Sequence, residues 1–194
     1  MKTVIIQYNA GNIRSVDFAL KRLHQEAEIT DDHEKIKKAD RVIFPGVGEA
    51  KSTMDYLVAR GLDELILNLE QPVLAICLGM QLLCESSEER NAKTLGLIDT
   101  KVKRFQGDIK VPHMGWNRIF DLKSSLFEGI EEGAFVYFVH SYYVPMTDYT
   151  IARSYHSRHF SAAVRKDNFF AVQFHPEKSG PIGEKILTNF LNGS

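Results

Sequence analysis

Along the first half of the chain, short continuous apolar runs alternate with stretches whose apolar residues fall at helical spacing. Thr3 to Tyr8 is a β-rich run closed by the turn residues Asn9-Ala10-Gly11-Asn12, and from Ile13 the positions Val16, Ala19, Leu20 and Leu23 line one helical face. Ala27 to Thr30 predicts a second strand, Asp31-Asp32 an N-cap region, and Arg41-Val42-Ile43-Phe44 a third strand running straight into Pro45-Gly46-Val47-Gly48. Lys51 to Leu69 carries helical periodicity broken at Gly61. Pro72 then opens the apolar strand Val73-Leu74-Ala75-Ile76, which ends at Cys77, and Leu78 to Cys84 reads as helix. Alternation of this kind predicts an α/β fold, a mostly parallel central sheet with flanking helices whose ligand sites lie at the carboxyl ends of the strands. Gly46 and Cys77 both fall at that edge.

The second half changes character. Asn117 to Asp121, Ala134 to Val139, Tyr149 to Tyr155, Ser161 to Arg165 and Phe169 to Phe174 are short strand-like runs with few helices between them, which predicts an antiparallel strand extension of the sheet. Val164 to Phe170 reads as a hairpin, and Pro181 as the first residue of a closing helix that turns Ile182, Ile186, Leu187, Phe190 and Leu191 inward. No repeat, linker or low-complexity segment divides the pattern, so residues 1–194 are read as one domain.

Composition narrows the function classes. The chain is 44% hydrophobic and 25% charged, and its 24 basic and 25 acidic side chains leave a formal charge of -1, which offers no field for nucleic acid or an anionic membrane. The opening Met1 to Ile6 reads as strand rather than signal peptide, and no apolar run reaches the ~18–20 residues of a membrane span, so a cytoplasmic protein is expected. Cys77 and Cys84 are too few for a disulfide framework.

Chemistry gathers at three places. Cys77, in Ala75-Ile76-Cys77-Leu78-Gly79-Met80-Gln81, sits between an apolar strand and a helix, where a sharp turn exposes a nucleophile and the free amides of the helix start favour a thiolate. Phe174-His175-Pro176-Glu177 ends another apolar strand. In an extended segment His175 and Glu177 face the same way, as an imidazole base and a carboxylate that orients it. Pro45-Gly46-Val47-Gly48 closes a third strand, with glycines that allow an amide to be presented to an oxyanion. A dinucleotide fingerprint would need a glycine where Lys51 stands.

These three segments, in this order, resemble the class I (triad) glutamine amidotransferases, and the resemblance covers essentially the whole chain. It implies that Cys77 attacks the glutamine carboxamide, that His175 is base and then acid, and that Glu177 orients His175. It further implies oxyanion donors at Leu78 and the Gly46–Val47 peptide, and glutamine contacts at Gly48, Gly79, Gln81, Glu89, Ser141 and Tyr142. Within the family, residues 11–16, 110–117 and 137–142 are similar to the glutaminases of histidine biosynthesis. Those pass ammonia to a separate (β/α)8-barrel cyclase that forms imidazole glycerol phosphate and an aminoimidazole carboxamide ribotide. A cyclase-facing surface is then expected at Asn12, Trp116, Asn117, Tyr137 and Lys178, although Trp116 and Tyr137 could equally pack inside and Lys178 be a solvated charge. No cofactor or metal is implied, since His156-Ser157-Arg158-His159 reads as a surface turn and Cys84 as a packing residue on the helix of Cys77. One departure stands in the first loop, where Gln7-Tyr8-Asn9 replaces the family's usual Asp-Tyr-Gly.

Overall fold

The computed structural model describes residues 1–8 and 11–193. Asn9, the last residue of that departure, lies outside them. Strands β1 (Thr3–Ile6), β2 (Ala27–Thr30), β3 (Arg41–Phe44) and β4 (Val73–Ile76) alternate with helices α1 (Ile13–Arg22), α2 (His33–Lys37), α3 (Ala50–Ala59) and α4 (Leu62–Leu67). Asp32 caps α2 by accepting the Lys35 N–H at 3.0 Å. Gly61, at φ 63°, makes the break between α3 and α4. Helix α5 is shorter than its apolar pattern suggests: it spans Leu78–Leu82, and Cys84 instead opens strand β5 (Cys84–Ser87). Strands β6 (Ala92–Lys93), β7 (Ile98–Arg104), β8 (His113–Arg118), β9 (Phe135–His140), β10 (Tyr142–Tyr143), β11 (Thr150–His156), β12 (Arg158–Lys166) and β13 (Phe169–Val172) follow, before the closing helix α6 (Gly180–Asn192).

The main sheet has the order β11-β12-β13-β4-β3-β1-β2. Its five strands from β13 to β2 are parallel, and β12 and β11 add the antiparallel extension. Alternate side chains feed two cores, as a sheet covered on both faces requires. Val4, Ile6, Val42, Phe44, Val73 and Ala75 pack with α2 to α5, while Ile5, Ile43, Leu74 and Ile76 pack with α1 and α6. Strands β5, β6, β7 and β10 form a second sheet and β8 and β9 a hairpin; together they roof the carboxyl ends of β3, β4 and β13. Among the described residues no helix is long and apolar enough to cross a membrane.

Candidate active site

Cys77 joins β4 to α5 with φ 53° and ψ -107°, a conformation that costs a non-glycine residue of order 1–3 kcal/mol. It is held from both sides: its N–H donates to the Val172 carbonyl at 2.7 Å, and its carbonyl accepts from the Gln81 N–H at 3.3 Å. Two glycines let the neighbouring backbones touch. A Cβ on Gly79 would lie 2.5 Å from the Phe44 carbonyl oxygen, and one on Gly46 2.2 Å from the Gly79 nitrogen. The end of β3 therefore presses directly on the elbow. Because α5 is so short, what it turns toward the elbow is the N–H groups of its first turn rather than a long helix dipole.

His175 follows β13. Strand alternation does not continue beyond it: Pro176–Lys178 is a 3-10 turn, and this turn carries Glu177 back to the ring. His175 Nδ1 and Glu177 Oε1 are 2.8 Å apart and buried. A carboxylate only accepts, so Nδ1 holds the proton and Nε2 is left for exchange with another group. Nε2 makes no hydrogen bond of good geometry among the described residues, and Cys77 is the ionisable group besides Glu177 that acts on the ring. Burial alone would pull the His175 pKa down, but the negative Cys77 sulfur and the Glu177 carboxylate outweigh it and push it up to about 10. That favours the imidazolium form of His175. Asn12 Nδ2 donates to Glu177 Oε1 at 3.1 Å, and Gln173 Nε2 and the Val139 carbonyl lie 3.7 and 3.9 Å from Cys77 Sγ.

Thiol and imidazole open into one cavity of about 330 Å³, lined by Val47, Gly48, Cys77, Leu78, Gln81, Glu89, Pro112, Val139, His140, Ser141, Tyr142 and His175. A larger cleft of about 580 Å³ along α3 and residues 90–94 is lined by neither cysteine nor histidine.

The family model for class-I glutamine amidotransferase matches residues 4–193. The chain belongs to that family. It is 61% identical to the imidazole glycerol phosphate synthase subunit HisH of Bacteroides fragilis strain YCH46, over 98% of this chain and 99% of that one. Its identity to the subunit of the same name from Escherichia coli K12 is 46%, with the same two coverages. Among solved structures, a putative GMP synthase subunit from Thermoplasma acidophilum superposes with a TM-score of 0.75 at 19% identity, over 99% of this chain and 93% of that one. A further glutamine amidotransferase gives 0.74 at 20%, over 97% of each. At these identities the structures establish the fold alone.

In this amidotransferase the residues expected around glutamine do not all reach the cavity. Gly48, Gln81, Glu89, Ser141 and Tyr142 line it, whereas Gly79 is spent under the Phe44 carbonyl. Gln81 Nε2 donates to the Tyr142 carbonyl at 2.9 Å and to Gln173 Oε1 at 3.0 Å. Glu89 Oε2 accepts from the Ala50 N–H at 2.7 Å. Burial raises the pKa of this carboxyl, with Glu49 adding to the effect while the Ala50 N–H and Arg90 oppose it. Of the oxyanion positions, the Leu78 N–H is 3.3 Å from the Gly46 carbonyl, to which it donates.

The expected cyclase-facing residues separate as well. Trp116 is 55% exposed and meets Tyr137 edge-on at 6.0 Å, on the outer face of the hairpin with exposed Met114 and Phe135. Lys178 is also exposed. Asn117 points to the opposite face, bonded to His113 and the Tyr155 carbonyl, and Asn12 is buried against Glu177. His156 ends β11 at a turn through Ser157 but stacks its ring on His113 at 4.3 Å. The buried thiol of Cys84 is pushed up to about 12 by desolvation, and that suits packing rather than chemistry. Sequence reasoning misses Gln173, although it is the one polar residue in the apolar run Phe169 to Phe174. It also misses Tyr8, whose hydroxyl donates to the Pro45 carbonyl and anchors the loop of Gly46.

Proposed function

We propose that this chain is the glutaminase subunit of an imidazole glycerol phosphate synthase, hydrolysing glutamine to glutamate and ammonia for histidine biosynthesis. The observation that carries the reading is the strained Cys77 elbow opening beside the buried His175–Glu177 pair in one cavity, in a chain that matches the named subunits from end to end. The Cys77 thiolate attacks the glutamine carboxamide. His175, held by Glu177 with Nε2 toward the cavity, gives its proton to the leaving ammonia and then takes one from the water that cleaves the glutamyl thioester.

The tetrahedral intermediate needs donors for its oxygen, and here one is engaged. The Gly46 carbonyl occupies the Leu78 N–H, so rotation of the Gly46–Val47 peptide frees that N–H and turns the Val47 N–H toward the same point. Such a rotation makes turnover a two-state property that a partner can bias. The partner is a separate (β/α)8-barrel cyclase, and its docking face is the apolar surface of exposed Met114, Trp116 and Phe135 with half-buried Tyr137, joined by exposed Lys178. Both subunits work in the cytoplasm.

Glutamate release tests the reading, measured with and without the cyclase of the same organism and its nucleotide substrate, beside a Cys77→Ala control. Turnover that requires partner, ligand and thiol together supports it. Full turnover by the isolated chain would retain the glutaminase and remove the peptide rotation as a regulator.

A further inference from the structure

A second hydrogen-bond chain, outside the triad, runs through the β8–β9 hairpin. His113 and His140 are cross-strand partners, both buried, with His113 Nδ1 3.0 Å from His140 Nε2. The direction of this bond is fixed from its two ends. His140 Nδ1 is 2.7 Å from the Tyr142 carbonyl, which only accepts, so Nδ1 carries a proton and Nε2 of the neutral ring is an acceptor. His113 Nδ1 is then the donor, and its Nε2 takes a hydrogen from Asn117 Nδ2 at 3.1 Å. Asn117 cannot be turned round. Its amide also donates to the Tyr155 carbonyl at 2.8 Å, and its Oδ1 accepts the Arg118 N–H at 2.8 Å.

Both rings stay neutral. Phe105, Phe138 and Phe160 surround them, and the charges that face them are other imidazoles, His156 on both and His175 on His140. Burial, reinforced by these neighbours, depresses His113 to about 4 and His140 to about 3. At the cavity end the Tyr142 carbonyl accepts a second bond from Gln81, on the helix that follows the nucleophile.

We propose that His113 and His140 are positioning residues for glutamine: as a pair locked in the Nδ1–H tautomer, they hold the Tyr142 carbonyl against Gln81 and so fix the Ser141–Tyr142 edge of the cavity. His113 does not line the cavity and acts only through His140. The choice of glutamine as ligand rests on the function proposed above; the tautomer lock does not.

Glutamate release by the complex with the cyclase is the kinetic test. His113→Phe fills the ring space without a donor and is expected to raise KM for glutamine about tenfold, the worth of one buried hydrogen bond, with kcat within about threefold of the parent. His113→Asn places an amide N–H where Nδ1–H stood and recovers most of the loss. Equal KM values for the two variants, or a fall in kcat with KM unchanged, would reduce the pair to a structural role and overturn the proposal. Nitrogen NMR of the histidine-labelled wild-type chain needs no variant to fold: Nδ1–H on both rings at neutral pH supports the lock, and Nε2–H on either overturns it. A wild-type complex that released no glutamate would tell against the glutaminase, and the spectrum would still decide the lock.

Discussion

Replacing Glu177 by glutamine separates the charge of the orienting group from its geometry. Both His175 Nδ1–H and Asn12 Nδ2–H donate to the same oxygen, Oε1, at 2.8 and 3.1 Å, while Oε2 has no partner among the described residues. Two donors converging on one point select the orientation of the new amide. Its oxygen stays at the Oε1 position, its NH₂ falls on the unpartnered side, and His175 keeps the Nδ1–H tautomer. What is lost is the difference between a charge-assisted and a neutral hydrogen bond to the imidazolium, ~1–2 kcal/mol, or roughly a 5- to 30-fold fall in kcat/KM. Removing Asn12 as well, in Glu177→Gln with Asn12→Leu, leaves His175 as the sole donor, so the amide is free to present NH₂ to Nδ1 and admit the wrong tautomer. An equivalent error in a serine triad costs about 10⁴. The assay is glutamate release by the complex across pH, where the single variant also shifts the His175 limb downward because one of the two anions raising its pKa is gone. Single-variant activity as low as that of the double variant, or an unmoved limb, would refute the reasoning.

Cys77→Gly abolishes turnover but relieves the φ 53°, ψ -107° strain, and urea unfolding should report a gain of about 1 kcal/mol; no gain would mean that the elbow stores no strain. Gly79→Ala drives a Cβ to 2.5 Å from the Phe44 carbonyl oxygen, so the same measurement should show a loss of ~2 kcal/mol or more together with lost glutaminase activity. His113 and His140, buried and neutral, have folded pKa values of about 4 and about 3 against roughly 6.5 for a free histidine, so the unfolded chain binds protons first on acidification. Their stabilising effect is full above about pH 6.5 and is lost as the pH falls toward those folded values. The urea midpoint should fall over that window in the parent and less steeply in His113→Phe, and equal slopes would contradict the burial argument.

The parallel core is legible because strands covered on both faces are almost wholly apolar: Thr3–Ile6, Arg41–Phe44 and Val73–Ile76 fall where the apolar runs do, while the edge strand Ala27–Thr30 is half-buried and carries Glu28. The second sheet is half-exposed instead. In Ile98–Arg104 only Ile98 and Val102 are buried, with half-buried Thr100 between them on the same face and Asp99, Lys101 and Lys103 outside, an alternation too polar to stand out as an apolar run. Leu83 and Cys84 extend the apolar pattern of α5, yet Cys84 pairs with Ile98, a contact no local pattern announces. At the site, the chemical types at Cys77, His175 and Glu177 can be read from short motifs. How they meet depends on a 3-10 turn where an extended segment is expected, and on Asn12, far away in sequence. The opposed directions of Trp116 and Asn117 follow from strand alternation once β8 begins at His113.

Strand β9 has two faces of use at once. Its Tyr137 carbonyl accepts the His175 backbone N–H at 2.9 Å, and two residues on its Val139 carbonyl meets Cys77 Sγ. One strand thus gauges the gap between Cys77 and His175, with a graduation of roughly 7 Å set by its own rise. The half-buried Tyr137 side chain that marks one end of this gauge meets exposed Trp116, so the outer face of the hairpin and the spacing between Cys77 and His175 are built on one and the same strand.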